Sequence, residues 1–213
     1  MTQKVQERME INNGCLKVAI MGSSAVGKTA ILNRYFHHMF SDVYEPSGGY
    51  MYIFEHEWDG DELQMHVTDV PGGAEFDEPR QKTIEECDAF MLVYSVDDAA
   101  SFQEVARLRE MIFDEKQAGV PVVVVETKVD LPRSSWFKGA NAIPNEMENG
   151  WSIPHLMVSA KEGSDMSDIF QCLVDEAQRG LRRPSRGMRY VSSFNALQYI
   201  LGSIPDQVKK DIN

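Results

Sequence analysis

The sequence predicts an α/β domain in which helices cover both faces of a doubly wound, six-stranded and mostly parallel sheet. Short apolar runs typical of buried strands alternate with longer, mixed segments typical of helices. The first run leads directly into a glycine-rich turn, and an Asp-Gly pair between two alternating runs marks a hairpin. In such sheets, ligands bind beyond the carboxyl ends of the strands.

The individual elements follow from local patterns, in chain order. Apolar or alternating runs predict strands over residues 16–21, 51–58, 62–68, 89–95, 122–126 and 155–158. Asp59-Gly60 joins the second and third strands as an antiparallel hairpin, and the β-branched run VVVVE is predicted to be central. Helical patterns cover residues 29–39, 75–87, 100–117 and 166–181. Residues 131–153, rich in Pro, Asn and Gly, are predicted to be irregular.

Composition limits the class of protein. With 43% hydrophobic and 25% charged residues, the chain is typical of a soluble globular protein. A net charge of −12 argues against a general nucleic-acid binder. The cysteines Cys15, Cys87 and Cys172 lie too far apart for a zinc motif and indicate reduced thiols. The sequence lacks a signal peptide, a membrane span and a C-terminal prenylation cysteine. We therefore expect a monomeric cytoplasmic protein with no direct lipid anchor, which reaches membranes only through a partner.

The domain organisation is predicted as an N-terminal extension over residues 1–14, one domain over 15–181 and a tail over 182–213. The tail begins with a basic linker, in which Arg182-Arg-Pro-Ser185 fits either a kinase site or a solvated connection. An apolar stripe at helical spacing follows it: Phe194, Leu197, Leu201, Ile204 and Val208. We expect this helix to pack on the protein's own domain, with the groove of a partner as the alternative.

The turn after the first strand carries a phosphate-binding motif. Residues 22–29, GSSAVGKT, fit G-x-x-x-x-G-K-[ST] between a strand and a helix. The backbone N–H groups would converge on phosphates, Lys28 would neutralise the outer phosphates and the Thr29 hydroxyl would bind Mg²⁺. An ordinary glycine turn before Lys-Thr is the alternative. The residues nominated for the phosphate end are Gly22, Ser24, Ala25, Val26, Gly27, Lys28, Thr29 and Ala30.

Two further motifs stand at the ends of later strands. TKVD (127–130) follows VVVVE, and SAK (159–161) follows the last strand. A carboxylate such as Asp130 accepts hydrogen bonds from N1–H and the exocyclic amine of guanine, whereas adenine has no donor at N1. Each motif alone is common in surface loops. In this order, after a phosphate loop, they indicate a guanine nucleotide.

Together these motifs resemble those of the Ras-superfamily small GTPases. The phosphate loop, DVPG (69–72), TKVD and SAK occur in the family's order, over roughly residues 15–180. The resemblance implies a G domain with a P-loop NTPase fold that binds GTP or GDP with Mg²⁺ and switches between the two states. It also implies an effector, an exchange factor and an activating protein as partners. Thr127 stands where much of the family has Asn, although the Rho branch shares T-K-x-D.

The resemblance also implies roles for individual residues around the base. Phe40 would lie edge-on to the guanine, Lys128 would pack along the base and ribose, and the Ala160 N–H would meet the guanine carbonyl oxygen. The remaining implied nucleotide contacts are Tyr44, Ser47, Thr127, Asp130, Leu131, Ser159 and Lys161.

The phosphate-sensing segment follows the family pattern only in part. By resemblance, Asp69 would hold Mg²⁺ through water, Ser47 would bind the ion in the GTP state, and the Gly72 N–H would meet the γ-phosphate. Gly73 takes the place of the family's catalytic Gln, which orients the attacking water. Ser24 stands where Ras has glycine and crowds the same space. Losing a positioned catalytic group costs a factor of about 10² to 10⁴ in rate, so we expect slow hydrolysis.

The leading hypothesis is therefore a guanine-nucleotide signalling switch with slow or impaired GTP hydrolysis and no identified catalytic residue. An alternative is that Glu75, Glu78 or a group from a partner positions the water. For both glutamates we favour a simpler interpretation, in which they are solvated side chains at the start of a helix. The second hypothesis is a non-hydrolysing, nucleotide-binding scaffold that acts through protein–protein contacts. A P-loop kinase for a small molecule would leave TKVD and SAK unexplained.

Overall fold

The computed structural model describes residues 15–43, 49–58, 61–73, 77–116, 119–140, 143, 147–163 and 166–182. Its strands are β1 (Cys15–Met21), β2 (Met51–Trp58), β3 (Asp61–Asp69), β4 (Ala89–Ser95), β5 (Val122–Thr127) and β6 (His155–Met157). Its α-helices are α1 (Lys28–His37), α2 (Asp77–Glu86), α3 (Ala99–Lys116) and α4 (Met166–Arg182). None of these helices is long and apolar enough to cross a bilayer. The predicted N-terminal extension, Ser185 and the apolar stripe of the tail lie outside the described residues.

The sheet confirms the predicted six-stranded, mostly parallel α/β class. Its strand order is β2-β3-β1-β4-β5-β6, with β2 antiparallel to β3 and every other neighbouring pair parallel. The chain places β2 and β3 on one side of β1, and β4 to β6 on the other, so the strand order reverses at β1. A crevice forms at such a reversal, beyond the carboxyl ends of the strands. The loops after β1, β3, β5 and β6 therefore meet at one edge.

Side-chain alternation along the strands divides the core into two layers. In β1, Leu16, Val18 and Ile20 face the layer that contains α1 and α4. Ala19 and Met21 face the opposite layer, which contains α2 and α3. Each large aliphatic side chain that is fully buried contributes roughly 1.5–3 kcal/mol. The sheet is thus held from both faces, which makes it a rigid base for the loops at its edge.

The segment over 131–153, predicted to be irregular, contains a 3-10 turn (Arg133–Ser135) and a π-helical turn (Met147–Trp151). The Trp136 indole donates to the carbonyl oxygen of Leu131 at 2.9 Å and holds the chain just beyond β5. Trp151 is buried, and its ring stacks on Phe102 of α3 with the centroids 5.9 Å apart. Packing against α3, and not local propensity, therefore orders the second turn.

Candidate functional site

The carboxyl edge of the sheet opens into a cavity of about 860 Å³, a size typical of small-molecule and cofactor sites. The predicted residues that line it are Ser24, Ala25, Gly27, Lys28, Thr29, Ala30, Phe40, Gly72, Thr127, Lys128, Asp130, Leu131, Ala160 and Lys161. Three further predicted residues hydrogen-bond to lining residues: Gly22 to Lys28, Val26 to Thr127 and Ser159 to Asp130. Tyr44 and Ser47 lie outside the described residues. Most residues nominated by the motifs therefore surround one space.

A second group of lining residues was not nominated from the sequence: Asn33, Ser41, Asp42, Val43, Tyr50, Tyr52 and Pro71. They lie on α1, on the segment after it, around the start of β2 and just after β3. Alternation along β2 indicates that Tyr50 and Tyr52 share a face. It cannot indicate that this face meets the cavity, because that depends on where β2 pairs in the sheet.

Lys28 provides positive charge at the inner end of the cavity. Its side chain is only 5% exposed, and Nζ donates to the carbonyl oxygens of Gly22 (3.0 Å) and Ser23 (2.7 Å). Burial lowers the pKa of Lys28 to about 8, although the nearby carboxylate of Asp69 opposes the shift. An anion stabilises a buried, desolvated ammonium more than it stabilises an exposed ammonium. This end of the cavity therefore favours an anionic ligand.

Thr29 and Asp69 bring oxygen ligands to the same end. The Thr29 hydroxyl, in the first turn of α1, donates to Asp69 Oδ2 at 2.6 Å, and Asp69 is fully buried at the end of β3. Mg²⁺ prefers hydroxyl, carboxylate and water oxygens, and typically takes only one or two protein groups beside a phosphate ligand. The oxygen pair of Thr29 and Asp69 fits that ion.

The segment after β3 lies directly against the phosphate loop. The Ser24 hydroxyl donates to the carbonyl oxygen of Gly72 at 2.6 Å. A Cβ on Gly72 would lie 2.3 Å from the Ser24 nitrogen, so only glycine allows this approach. Gly73 has φ 135°, a conformation that L side chains rarely adopt. The local backbone therefore favours glycine at position 73.

Beside the cavity, the loops after β5 and β6 are tied together. The Ser159 hydroxyl donates to Asp130 Oδ1 at 2.6 Å, which orients a carboxylate that lines the cavity. The Thr127 hydroxyl donates to the carbonyl oxygen of Val26 at 2.5 Å and also lies 2.9 Å from that of Tyr94. Thr127 thus links the end of β5 to the phosphate loop.

Two lysines line the outer part of the cavity and pair with acidic residues. The Lys128 ammonium lies 3.3 Å from Asp97 Oδ1, and the Lys161 ammonium lies 3.4 Å from Asp42 Oδ1. Ion pairs this exposed contribute at most about 1 kcal/mol each. Because these ion pairs are weak, little free energy is lost if either lysine leaves its acidic partner to contact a ligand.

Sheet order, phosphate loop and cavity together define a P-loop G domain. Residues 17–179 match the model of the Ras family, and the chain therefore belongs to this family of small GTPases. The chain is 30% identical over 167 residues to the GTP-binding protein Rit2 of Mus musculus, a match that covers 76% of this chain and 75% of that protein. It is 29% identical over 164 residues to Rit2 of Rattus norvegicus, with the same coverage.

Proposed function

We propose that this Ras-family protein is a signalling switch that binds GTP and GDP with Mg²⁺ and hydrolyses GTP slowly. One observation carries the proposal: a carboxylate and a desolvated ammonium line the same cavity. The carboxylate is that of Asp130, and the ammonium is that of Lys28. The mouse and rat relatives are both named GTP-binding proteins.

At the phosphate end, the phosphate loop and Lys28 would bind the β- and γ-phosphates. Lys28 is already desolvated, so little further desolvation would oppose its pairing with phosphate. Thr29 and Asp69 would hold Mg²⁺, directly and through water, which would neutralise phosphate charge. Ser47 would complete the ligands in the GTP state.

At the base end, Asp130 would accept from guanine N1–H and from the exocyclic amine. Its hydrogen bond from Ser159 keeps the carboxylate in one orientation, which reduces the entropy lost on binding. The backbone N–H of Ala160 would donate to the guanine carbonyl oxygen, and Phe40 would lie at the edge of the base. Adenine would leave the carboxylate unpaired, and such mismatches are rejected strongly.

Slow hydrolysis is proposed because no side chain at position 73 can orient water. Gly73 also has a backbone conformation that disfavours a replacement side chain. The hydroxyl of Ser24 occupies the space next to Gly72 and donates to its carbonyl oxygen. As a switch, the protein would act in the cytoplasm with an effector, an exchange factor and an activating protein.

The first test is single-turnover hydrolysis of bound GTP, comparing the native protein with Gly73→Gln and Gly73→Ala. We expect native turnover at or below about 10⁻⁴ per second. Both variants carry the same backbone strain at φ 135°, of roughly 1–3 kcal/mol. Any gain of Gly73→Gln over Gly73→Ala therefore reports the amide alone, and we expect such a gain. Native turnover well above that rate would show that another group positions the water.

The alternative function is a scaffold that binds nucleotide without switching. The Ser24–Gly72 hydrogen bond favours it, because this contact ties the sensing segment to the phosphate loop through protein groups alone. Hydrogen–deuterium exchange of residues 69–73 would separate the two functions. A difference between the GDP complex and the complex with a non-hydrolysable GTP analogue supports the switch, whereas identical protection supports the scaffold.

A further inference from the structure

We propose that Arg34 is a positioning residue for guanine recognition: it fixes the peptide group between Ala160 and Lys161 so that the Lys161 N–H faces the base beside the N–H of Ala160. This inference rests on the proposed function and adds to it a residue that no motif marks. Arg34 lies on α1, the helix that begins with Lys28 and Thr29. It does not itself line the described cavity, and therefore acts through the loop after β6.

The guanidinium group of Arg34 binds that loop with two of its nitrogens. Nε donates to the carbonyl oxygen of Ala160 at 2.6 Å, and one terminal nitrogen donates to that of Lys161 at 2.7 Å. The other terminal nitrogen donates to the carbonyl oxygen of His38 at 3.0 Å, just beyond the end of α1. The guanidinium is planar and its donors diverge at fixed angles, so this set of contacts defines the orientation of both peptide groups.

The orientation of the carbonyl groups determines where the N–H groups point. In a trans peptide the C=O and N–H vectors are opposed. Because the Ala160 carbonyl faces Arg34, the Lys161 N–H points away from Arg34. The same rule sends the Glu162 N–H away from Arg34, and this N–H indeed donates to the Ser159 hydroxyl oxygen at 3.1 Å.

The Ala160 N–H is oriented by a separate contact within the same turn. The preceding carbonyl, that of Ser159, accepts from the Gly163 N–H at 2.8 Å, so the Ala160 N–H points away from Gly163. Ala160 and Lys161 both line the cavity. With Arg34 on one side and the cavity on the other, the turn can present its N–H groups to an acceptor on the base.

Arg34 also connects the two ends of the nucleotide site mechanically. The phosphate-binding residues start α1, and Arg34 extends from the last turns of the same helix to the base-binding loop. Lysine offers only one nitrogen and cannot span both carbonyl groups with the same geometry. Glutamine keeps one amide donor and loses the charge.

The test compares dissociation rates of GDP and 6-thio-GDP from the native protein, Arg34→Gln and Arg34→Lys. 6-Thio-GDP keeps the N1–H and amine that Asp130 would bind, but carries sulfur, a weak acceptor, at C6. Arg107→Gln is the matched control, because Arg107 is an exposed arginine of α3 that pairs with Glu104. Circular dichroism and thermal unfolding of each variant check the fold.

We expect Arg34→Gln to release GDP roughly 10- to 100-fold faster, and 6-thio-GDP with a much smaller acceleration. The native preference for GDP should therefore shrink, Arg34→Lys should recover part of it, and Arg107→Gln should leave it unchanged. Equal acceleration for both nucleotides, within about twofold, would overturn the inference, because a general loosening of the fold acts on both alike. Failure of the native protein to bind either nucleotide would instead refute the proposed function itself.

Discussion

Glu126 and His155 form a buried acid–base pair whose protonation leads to a specific prediction about stability. Glu126 lies one residue before the end of β5 and is completely buried, and the side chain of His155 on β6 is 6% exposed. His155 Nε2 lies 3.4 Å from Glu126 Oε2 and 2.9 Å from the Tyr94 hydroxyl. Burial raises the pKa of Glu126 to about 7 and lowers the pKa of His155 to about 4.

Taken alone, each group would make stability depend on pH, in opposite directions. The free energy of unfolding would decrease as pH rises from 4.5 to 7 because of Glu126, whose folded-state pKa is raised. It would decrease as pH falls from 6.5 to 4 because of His155, whose folded-state pKa is lowered. At 1.36 kcal/mol for each unit of pKa, each effect amounts to roughly 3 kcal/mol.

Together, the two groups nearly cancel. Between about pH 4.5 and pH 6.5, the unfolded chain holds one proton on His155, and the folded chain also holds one proton in the pair. This count is the same whether the folded proton lies on Glu126 or on His155. Because equal proton counts give no pH dependence, the pair should leave the native protein's stability almost unchanged across this range.

Substituting either partner should reveal the hidden dependence. Glu126→Gln leaves His155 buried alone, so unfolding free energy relative to the native protein should fall by roughly 3 kcal/mol between pH 6.5 and pH 4. His155→Gln leaves Glu126 alone and should produce a similar loss as pH rises from 4.5 to 7. Urea unfolding at fixed ionic strength across this range measures both differences. Differences that stay constant with pH would refute the reasoning, whatever their size.

Two further predictions concern the cavity. Asp130→Asn should weaken GDP binding by roughly 10²- to 10⁴-fold and favour xanthosine diphosphate, because the amide can donate to the carbonyl oxygen that replaces the guanine amine. Competition binding with both nucleotides measures this change. An unchanged GDP affinity would contradict the assignment of the base site. Ser24→Ala removes the donor to Gly72 and should increase deuterium exchange over residues 69–73 about fivefold, equivalent to roughly 1 kcal/mol. Ser167→Ala, in the first turn of α4, serves as the control, and unchanged exchange in Ser24→Ala would show that the hydroxyl does not hold the segment.

Sequence patterns predicted the elements of this fold well where the signal is local. The strand over 89–95 was predicted with the bounds that the structure has, because an apolar run begins directly after Asp88 and continues as far as the polar Ser95. The phosphate loop was recognisable because its glycines, Lys28 and Thr29 act at fixed spacing within one turn. Several of the residues that line the cavity were named from such motifs. Their roles in binding stay predictions.

Contacts between distant parts of the chain had no such signal. The turn at 147–151 was expected to be irregular because its order comes from Trp151 packing on Phe102, a partner on another element. Ser24 was expected to crowd the catalytic space, but its hydrogen bond to Gly72 was not predicted. That bond depends on how closely the pairing of β1 with β3 brings together the loops that follow these two strands.

The chain's pattern of residues was therefore enough to establish the fold class and the family resemblance, and it named many of the residues that line the cavity. The contact of Arg34 with the loop after β6 and the Glu126–His155 pair emerged only when the strands were assembled. The physical reason is that a motif records residues whose spacing along one segment produces the chemistry. A hydrogen bond or shared proton between separate segments depends on sheet register and helix packing, which no single segment encodes.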